Sequence, residues 1–107
     1  MNKSISVNEL KNLDANKEDF ILLDVRTDAE VLQSKIPIDS IHIPMHEIPN
    51  RIIELDKNKN IIVYCKSGKR SQRVCDYLIQ NNFKNIQNLD GGILAWANKI
   101  DPTLLIF

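Results

Sequence analysis

The sequence predicts an α/β fold: three layers, with a central, mostly parallel sheet of about five strands and helices on both faces. Two observations predict it. Short apolar runs alternate with helical patterns along the chain. Two of those runs, residues 20–25 (FILLDV) and 61–64 (IIVY), are continuous rather than alternating, as in strands covered on both faces. At 107 residues, the chain is expected to form one domain over residues 1–107, burying roughly 65% of its unfolded surface around a core without staples.

The elements follow in order. Residues 5–7 (ISV) read as an edge strand, and 8–13 (NELKNL) as a short helix. The strand at 20–25 leads into a helix over 27–34, opened by Thr27 and Glu30 at capping-box spacing. Residues 40–44 (SIHIP) give a brief strand ended by Pro44. Residues 45–55 are amphipathic, with Pro49 dividing or restarting the helix. A polar turn (56–60) precedes the strand at 61–64. The helix expected at 71–82 ends on Asn81 and Asn82, both suited to a left-handed cap. Residues 85–89 form the last strand, 90–92 (DGG) a turn and 93–100 the last helix.

Composition narrows the function. Hydrophobic residues make up 43% and charged residues 26%, as in a soluble globular protein. Fourteen basic and fourteen acidic side chains cancel, so no overall field favours nucleic acid or a membrane surface. No segment approaches the ~20 apolar residues of a bilayer span, and the start MNKSISVNEL lacks a signal-peptide stretch. Two cysteines without disulfide-style spacing suit a reducing cytoplasm, the expected location. Charge is nevertheless uneven. Lys66, Lys69, Arg70 and Arg73 form a cluster free of acids, whereas the first third is acidic.

That cluster follows Cys65. A cysteine at the end of an apolar run is ordinarily structural. Here it stands between a strand and a helix start, where ligands bind in parallel sheets. The amides of residues 65–71 and the helix N-terminus form a concave cradle for an anion, and Gly68 lets the chain curl. The same field stabilises a thiolate, so the Cys65 thiol is expected below the ~8.5 of a free cysteine. Lys66, Lys69 and Arg70 add positive charge, and Arg70 is suited to grip an oxyanion with two hydrogen bonds. A thiolate beside an oxyanion cradle is the equipment for transfer from an anionic donor.

CKSGKRS, with Cys65, Lys66, Ser67, Gly68, Lys69, Arg70 and Ser71, resembles the active-site loop of the rhodanese family of sulfurtransferases. LLDVRTDAEV resembles that family's D-V-R segment and following glutamate, matched by Asp24, Arg26 and Glu30. KIPIDSIHIP resembles its H-I-P-G-A-x-N-I-P stretch. NIQNLDGGILAW resembles its L-x-G-G-x-x-x-W segment, with Gly91, Gly92 and Trp96. The resemblance implies the rhodanese-like form of the fold in a single domain. It also implies sulfur transfer through a Cys65 persulfide held by loop amides, without metal or organic cofactor. The implied donor is thiosulfate or a persulfidated protein; the implied acceptor is cyanide, a thiol or a sulfur-acceptor protein. The ending WANKIDPTLLIF is similar to rhodanese domains attached to enzymes that activate sulfur carriers, which suggests a sulfur relay. Ser34-Lys35 and Ile38 depart from the family's Gly-His and Gly. They leave donor preference open, and the oligomeric state is not legible.

Two rival readings fit the loop less well. A cysteine phosphatase or arsenate reductase carries C-x5-R, which would put arginine at position 71; Ser71 stands there, and the arginine is Arg70. A non-catalytic rhodanese-like binding module is opposed by the intact Cys65 and its cationic loop. Other residues have plainer roles. Cys75 reads as helix packing rather than a resolving thiol, Trp96 as core and Arg73 as a solvated helix residue. Pro44 argues against a helical metal pair of His42 and His46. Asp24 is expected to support the Cys65 loop by hydrogen bonds, and Arg26 to pair with Glu30 four residues on.

Overall fold

The computed structural model describes residues 3–106. Five parallel strands form one sheet: β1 (Lys3–Ile5), β2 (Ile21–Asp24), β3 (Ile41–His42), β4 (Ile61–Tyr64) and β5 (Ile86–Leu89). Their spatial order is β1-β5-β4-β2-β3, with β4 between β5 and β2. The α-helices are α1 (Val7–Ala15), α2 (Asp28–Gln33), α3 (Ile48–Arg51), α4 (Lys69–Gln80) and α5 (Gly92–Lys99). Among the described residues no helix is long and apolar enough to cross a membrane.

Side chains alternate across the central strands and fill two cores. Leu23, Ile61, Val63 and Cys65 face one side, where Val74, Cys75 and Leu78 of α4 and Ile48 of α3 meet them. Leu22, Ile62 and Tyr64 face the other, under Leu10 of α1 and Ile93 and Trp96 of α5. Burying each of these large apolar side chains contributes about 1.5–3 kcal/mol. Trp96 is core, and Cys75 packs on α4 with Leu78.

Local chemistry moves several boundaries from those the sequence predicts. The first strand ends at Ile5, because Ser6 and Glu9 form a capping box: the Ser6 hydroxyl accepts from Glu9 N–H and the Glu9 carboxylate accepts from Ser6 N–H. That draws Val7 into α1. The Thr27–Glu30 capping box opens α2 as expected. Residues 45–54 form one turn of α-helix between two 3₁₀ turns, with Pro49, which has no N–H to give, in the first turn of α3. Of the two asparagines after α4, only Asn82 is left-handed (φ 70°); Asn81 has φ −102°. Helix α4 starts at Lys69, two residues before the expected Ser71, with Gly68 as its left-handed N-cap (φ 102°).

Candidate active site

Tyr64 and Cys65 leave the middle of the sheet, and three residues later the chain turns into α4. Gly68 has no side chain with which to cap the helix, and the Cys65 sulfur takes the place of the capping atom. Sγ accepts the Gly68 N–H at 3.1 Å and the Ser71 N–H at 3.4 Å, and the Ser71 hydroxyl oxygen lies 3.4 Å away. The positive end of the α4 dipole therefore converges on this atom. Cys65 is 1% exposed. Burial alone would push its thiol up; hydrogen bonds from Ser71, Gly68 and the Ser67 N–H outweigh that and hold it below an ordinary thiol.

The loop is held from outside by the start of α5. Ile93 N–H donates to the Cys65 carbonyl (3.0 Å) and Leu94 N–H to the Lys66 carbonyl (3.1 Å). With those carbonyls claimed by α5, amides rather than oxygens face the sulfur. This clamp needs glycine at position 92: φ is +60°, and a Cβ would stand 2.5 Å from the carbonyl oxygens of both Cys65 and Lys66. From beneath, Asn88 of β5 accepts the Ser71 hydroxyl and donates its amide to the Gly68 carbonyl at 3.1 Å. Asn88 and the clamping role of Gly92 are absent from the sequence-based site. An asparagine in a strand carries no local signal; its place under the loop comes from the β4–β5 pairing.

The charged residues pair differently from expectation. Arg70, expected to face an oxyanion, points its fork at Glu30: Nη1 to Oε1 is 2.7 Å and Nη2 to Oε2 is 2.8 Å. The guanidinium holds the Glu30 carboxyl down at about 2, and the Arg70 charge still interacts with Cys65. Arg26 pairs with Asp24 instead of Glu30. Its Nη2 lies 2.8 Å from Asp24 Oδ2, both side chains being at most 2% exposed, and its backbone N–H also donates to Asp24. Arg26 precedes α2, so the helical four-residue spacing does not apply; it lies in the bend that follows β2, and its guanidinium turns back onto the Asp24 carboxylate. The Arg26 guanidinium also lies 5.3 Å from the centre of the Tyr64 ring. Asp24 thus fills its carboxylate with Arg26, on the sheet face opposite Cys65, and not with the Cys65 loop as expected.

Lys69 is exposed in the first turn of α4, and Lys66 is half-buried at the loop. Cys75 lies one core layer below, its thiol pushed up to about 12, mainly by burial. His42 Nε2 lies 2.7 Å from the Arg26 carbonyl, which makes that nitrogen a donor.

Comparison with known proteins agrees with this architecture. The family model for the rhodanese-like domain matches residues 6–99. A sulfurtransferase of Allochromatium vinosum is 47% identical over 83 residues, 78% of this chain and 77% of that one. The thiosulfate sulfurtransferase GlpE of Pseudomonas savastanoi pv. phaseolicola is 37% identical over 76 residues, 71% of each chain. The crystal structure of a rhodanese-like domain protein from Staphylococcus aureus superposes with a TM-score of 0.84 at 36% identity, covering 98% of both chains.

Proposed function

Because the chain belongs to the rhodanese-like family, we propose that it is a sulfurtransferase whose Cys65 carries sulfur as a persulfide. The observation that carries this is the position of Cys65 Sγ at the N-terminus of α4, accepting from the Gly68 and Ser71 N–H groups. A thiolate is stabilised there, and so is the negative terminal sulfur of a persulfide.

In the first half-reaction the Cys65 thiolate attacks the outer sulfur of the donor. With thiosulfate, a new S–S bond forms, the old S–S bond breaks and sulfite leaves with its electron pair. In the second, a nucleophilic acceptor attacks the outer sulfur of the Cys65 persulfide, and the thiolate is restored. Cyanide, a small thiol or a protein thiol each meets that requirement. Both steps move negative charge over two or three atoms beside fixed amides, so little reorganisation is needed. The Lys66 and Lys69 ammonium groups draw an anionic donor to the loop. Arg70 adds its charge while Glu30 fixes its direction.

Thiosulfate as donor is supported by the positive loop and by the activity named for the Pseudomonas relative. A persulfidated protein satisfies the same chemistry and is the second donor class. We also propose a reducing, cytoplasmic setting, which its two free thiols suit, and a single sulfur-transferring domain, which the family match over residues 6–99 supports. The test is a single-turnover measurement of sulfite after mixing with thiosulfate in the absence of acceptor. About one sulfite per chain is expected, and none from Cys65→Ser; release without dependence on Cys65 overturns the assignment.

A further inference from the structure

The Ser71 hydroxyl carries one proton and has two acceptors within reach. Its oxygen is 2.5 Å from Asn88 Oδ1 and 3.4 Å from Cys65 Sγ. The far end of the Asn88 carboxamide decides which atom faces Ser71. Asn88 Nδ2 lies 3.1 Å from the Gly68 carbonyl oxygen and 3.3 Å from Gln72 Oε1. A backbone carbonyl can only accept, so the NH₂ group must point that way and the carboxamide oxygen must face Ser71. Ser71 is fully buried and Asn88 is 7% exposed, so solvent does not supply a third partner to the hydroxyl.

We propose that Asn88 is a positioning residue that holds the Ser71 proton away from Cys65 while the sulfur is neutral and gives it up when the sulfur becomes negative. In the neutral state the Cys65 S–H donates to the Ser71 oxygen, and Ser71 donates to Asn88. Every proton in that chain has an acceptor. When the sulfur is a thiolate, or carries a persulfide, the Ser71 hydroxyl turns about its Cβ–Oγ bond and donates to sulfur. Ionisation releases the Cys65 proton to solvent and ends its hydrogen bond to the Ser71 oxygen; the turn itself breaks one hydrogen bond, to Asn88 Oδ1, and forms one, to sulfur, and Ser71 keeps its own proton. Asn88 therefore competes with Cys65 for the donor that would stabilise its ionised form.

Gly68 does not depend on Asn88 alone for its position. Its carbonyl also accepts the Gln72 N–H at 3.1 Å, the first hydrogen bond of α4. Removing Asn88 thus leaves the Gly68 N–H on the sulfur and frees the Ser71 hydroxyl to join it.

The value of this device for catalysis rests on the nucleophilic role of Cys65 proposed above, but its test needs no sulfur transfer. Iodoacetamide alkylation of Cys65 is followed against pH by peptide mass, so that Cys75 does not contribute. Asn88→Ala is expected to lower the pH midpoint by about one unit, the worth of the Ser71–Asn88 hydrogen bond that ionisation no longer has to break. Adding Ser71→Ala removes that fall. Asn88→Asp keeps the shape, offers only oxygens and adds negative charge; it raises the midpoint by about one unit or more. A scaffold role alone lowers the melting temperature without a fall in the Asn88→Ala midpoint. An unchanged or raised midpoint in folded Asn88→Ala overturns the proposal. Should that variant not fold, an unchanged or lowered midpoint in Asn88→Asp does so. Shifts as predicted in a protein that takes up no sulfur would refute the role of Cys65 and leave that of Asn88 standing.

Discussion

Glu30 and Arg70, forty residues apart, face each other through two charge-assisted hydrogen bonds of 2.7 and 2.8 Å. Glu30 is the third residue of α2 and Arg70 the second of α4, so the pair ties two helix starts together at the C-terminal edge of the sheet. It also keeps the guanidinium in one orientation near Cys65.

Glu30→Gln tests the pair. Both side chains are partly exposed, so its worth is discounted to about 1 kcal/mol at neutral pH. The carboxyl sits at about 2 in the folded protein, against roughly 4.3 when unfolded. A depressed acid stabilises above its unfolded value and loses that contribution as pH falls through its folded value. The gap between wild type and Glu30→Gln in urea unfolding should be full above about pH 5 and close toward pH 2. A gap that widens on acidification contradicts the assignment.

Gly92→Ala tests the clamp on the Cys65 loop. The new Cβ meets two carbonyl oxygens at 2.5 Å with φ at +60°. The expected cost is about 3 kcal/mol. Because the loop must shift to admit the methyl group, alkylation of Cys65 at fixed pH should also slow by about tenfold, the equivalent of ~1.4 kcal/mol. Unchanged urea unfolding and alkylation would show that α5 does not brace the loop.

Arg26→Met leaves the Asp24 carboxylate buried without its partner. Such a loss costs about 3–5 kcal/mol, read as a large fall in the urea midpoint. A change below about 1 kcal/mol would mean that the pair is hydrated in solution.

These effects also separate what the sequence reveals from what it does not. The two central strands are legible because continuous apolar runs have few other uses, and the Thr27–Glu30 cap because both partners lie within one turn. The turn at Gly68 is legible because a glycine between a strand and a basic helix start has a physical role. Ser6 and Glu9 carry the same capping signal, yet the apolar look of 5–7 hides it and displaces β1. The Glu30–Arg70 and Asp24–Arg26 pairings are not legible from spacing. The first depends on two helix starts meeting at the edge of the sheet, and the second on Arg26 lying in the bend before α2, outside the helix. Asn88 and the clamping role of Gly92 escape notice for a similar reason: the groups they meet belong to a loop distant in sequence.

Cys75→Ala distinguishes packing from redox chemistry. Its thiol, pushed up to about 12, is neutral at pH 8, so iodoacetamide should label one cysteine in the folded protein. The variant should lose about 1 kcal/mol of stability and still take up sulfur on Cys65. Loss of uptake would make Cys75 part of the reaction.

Intact mass after incubation with thiosulfate tests the persulfide at Cys65 most directly. The folded wild-type chain should gain the mass of one sulfur atom, lose it on adding cyanide, and show no gain as Cys65→Ser. No gain from thiosulfate or from a persulfidated donor protein, or a gain that survives Cys65→Ser, would contradict sulfur transfer through this residue.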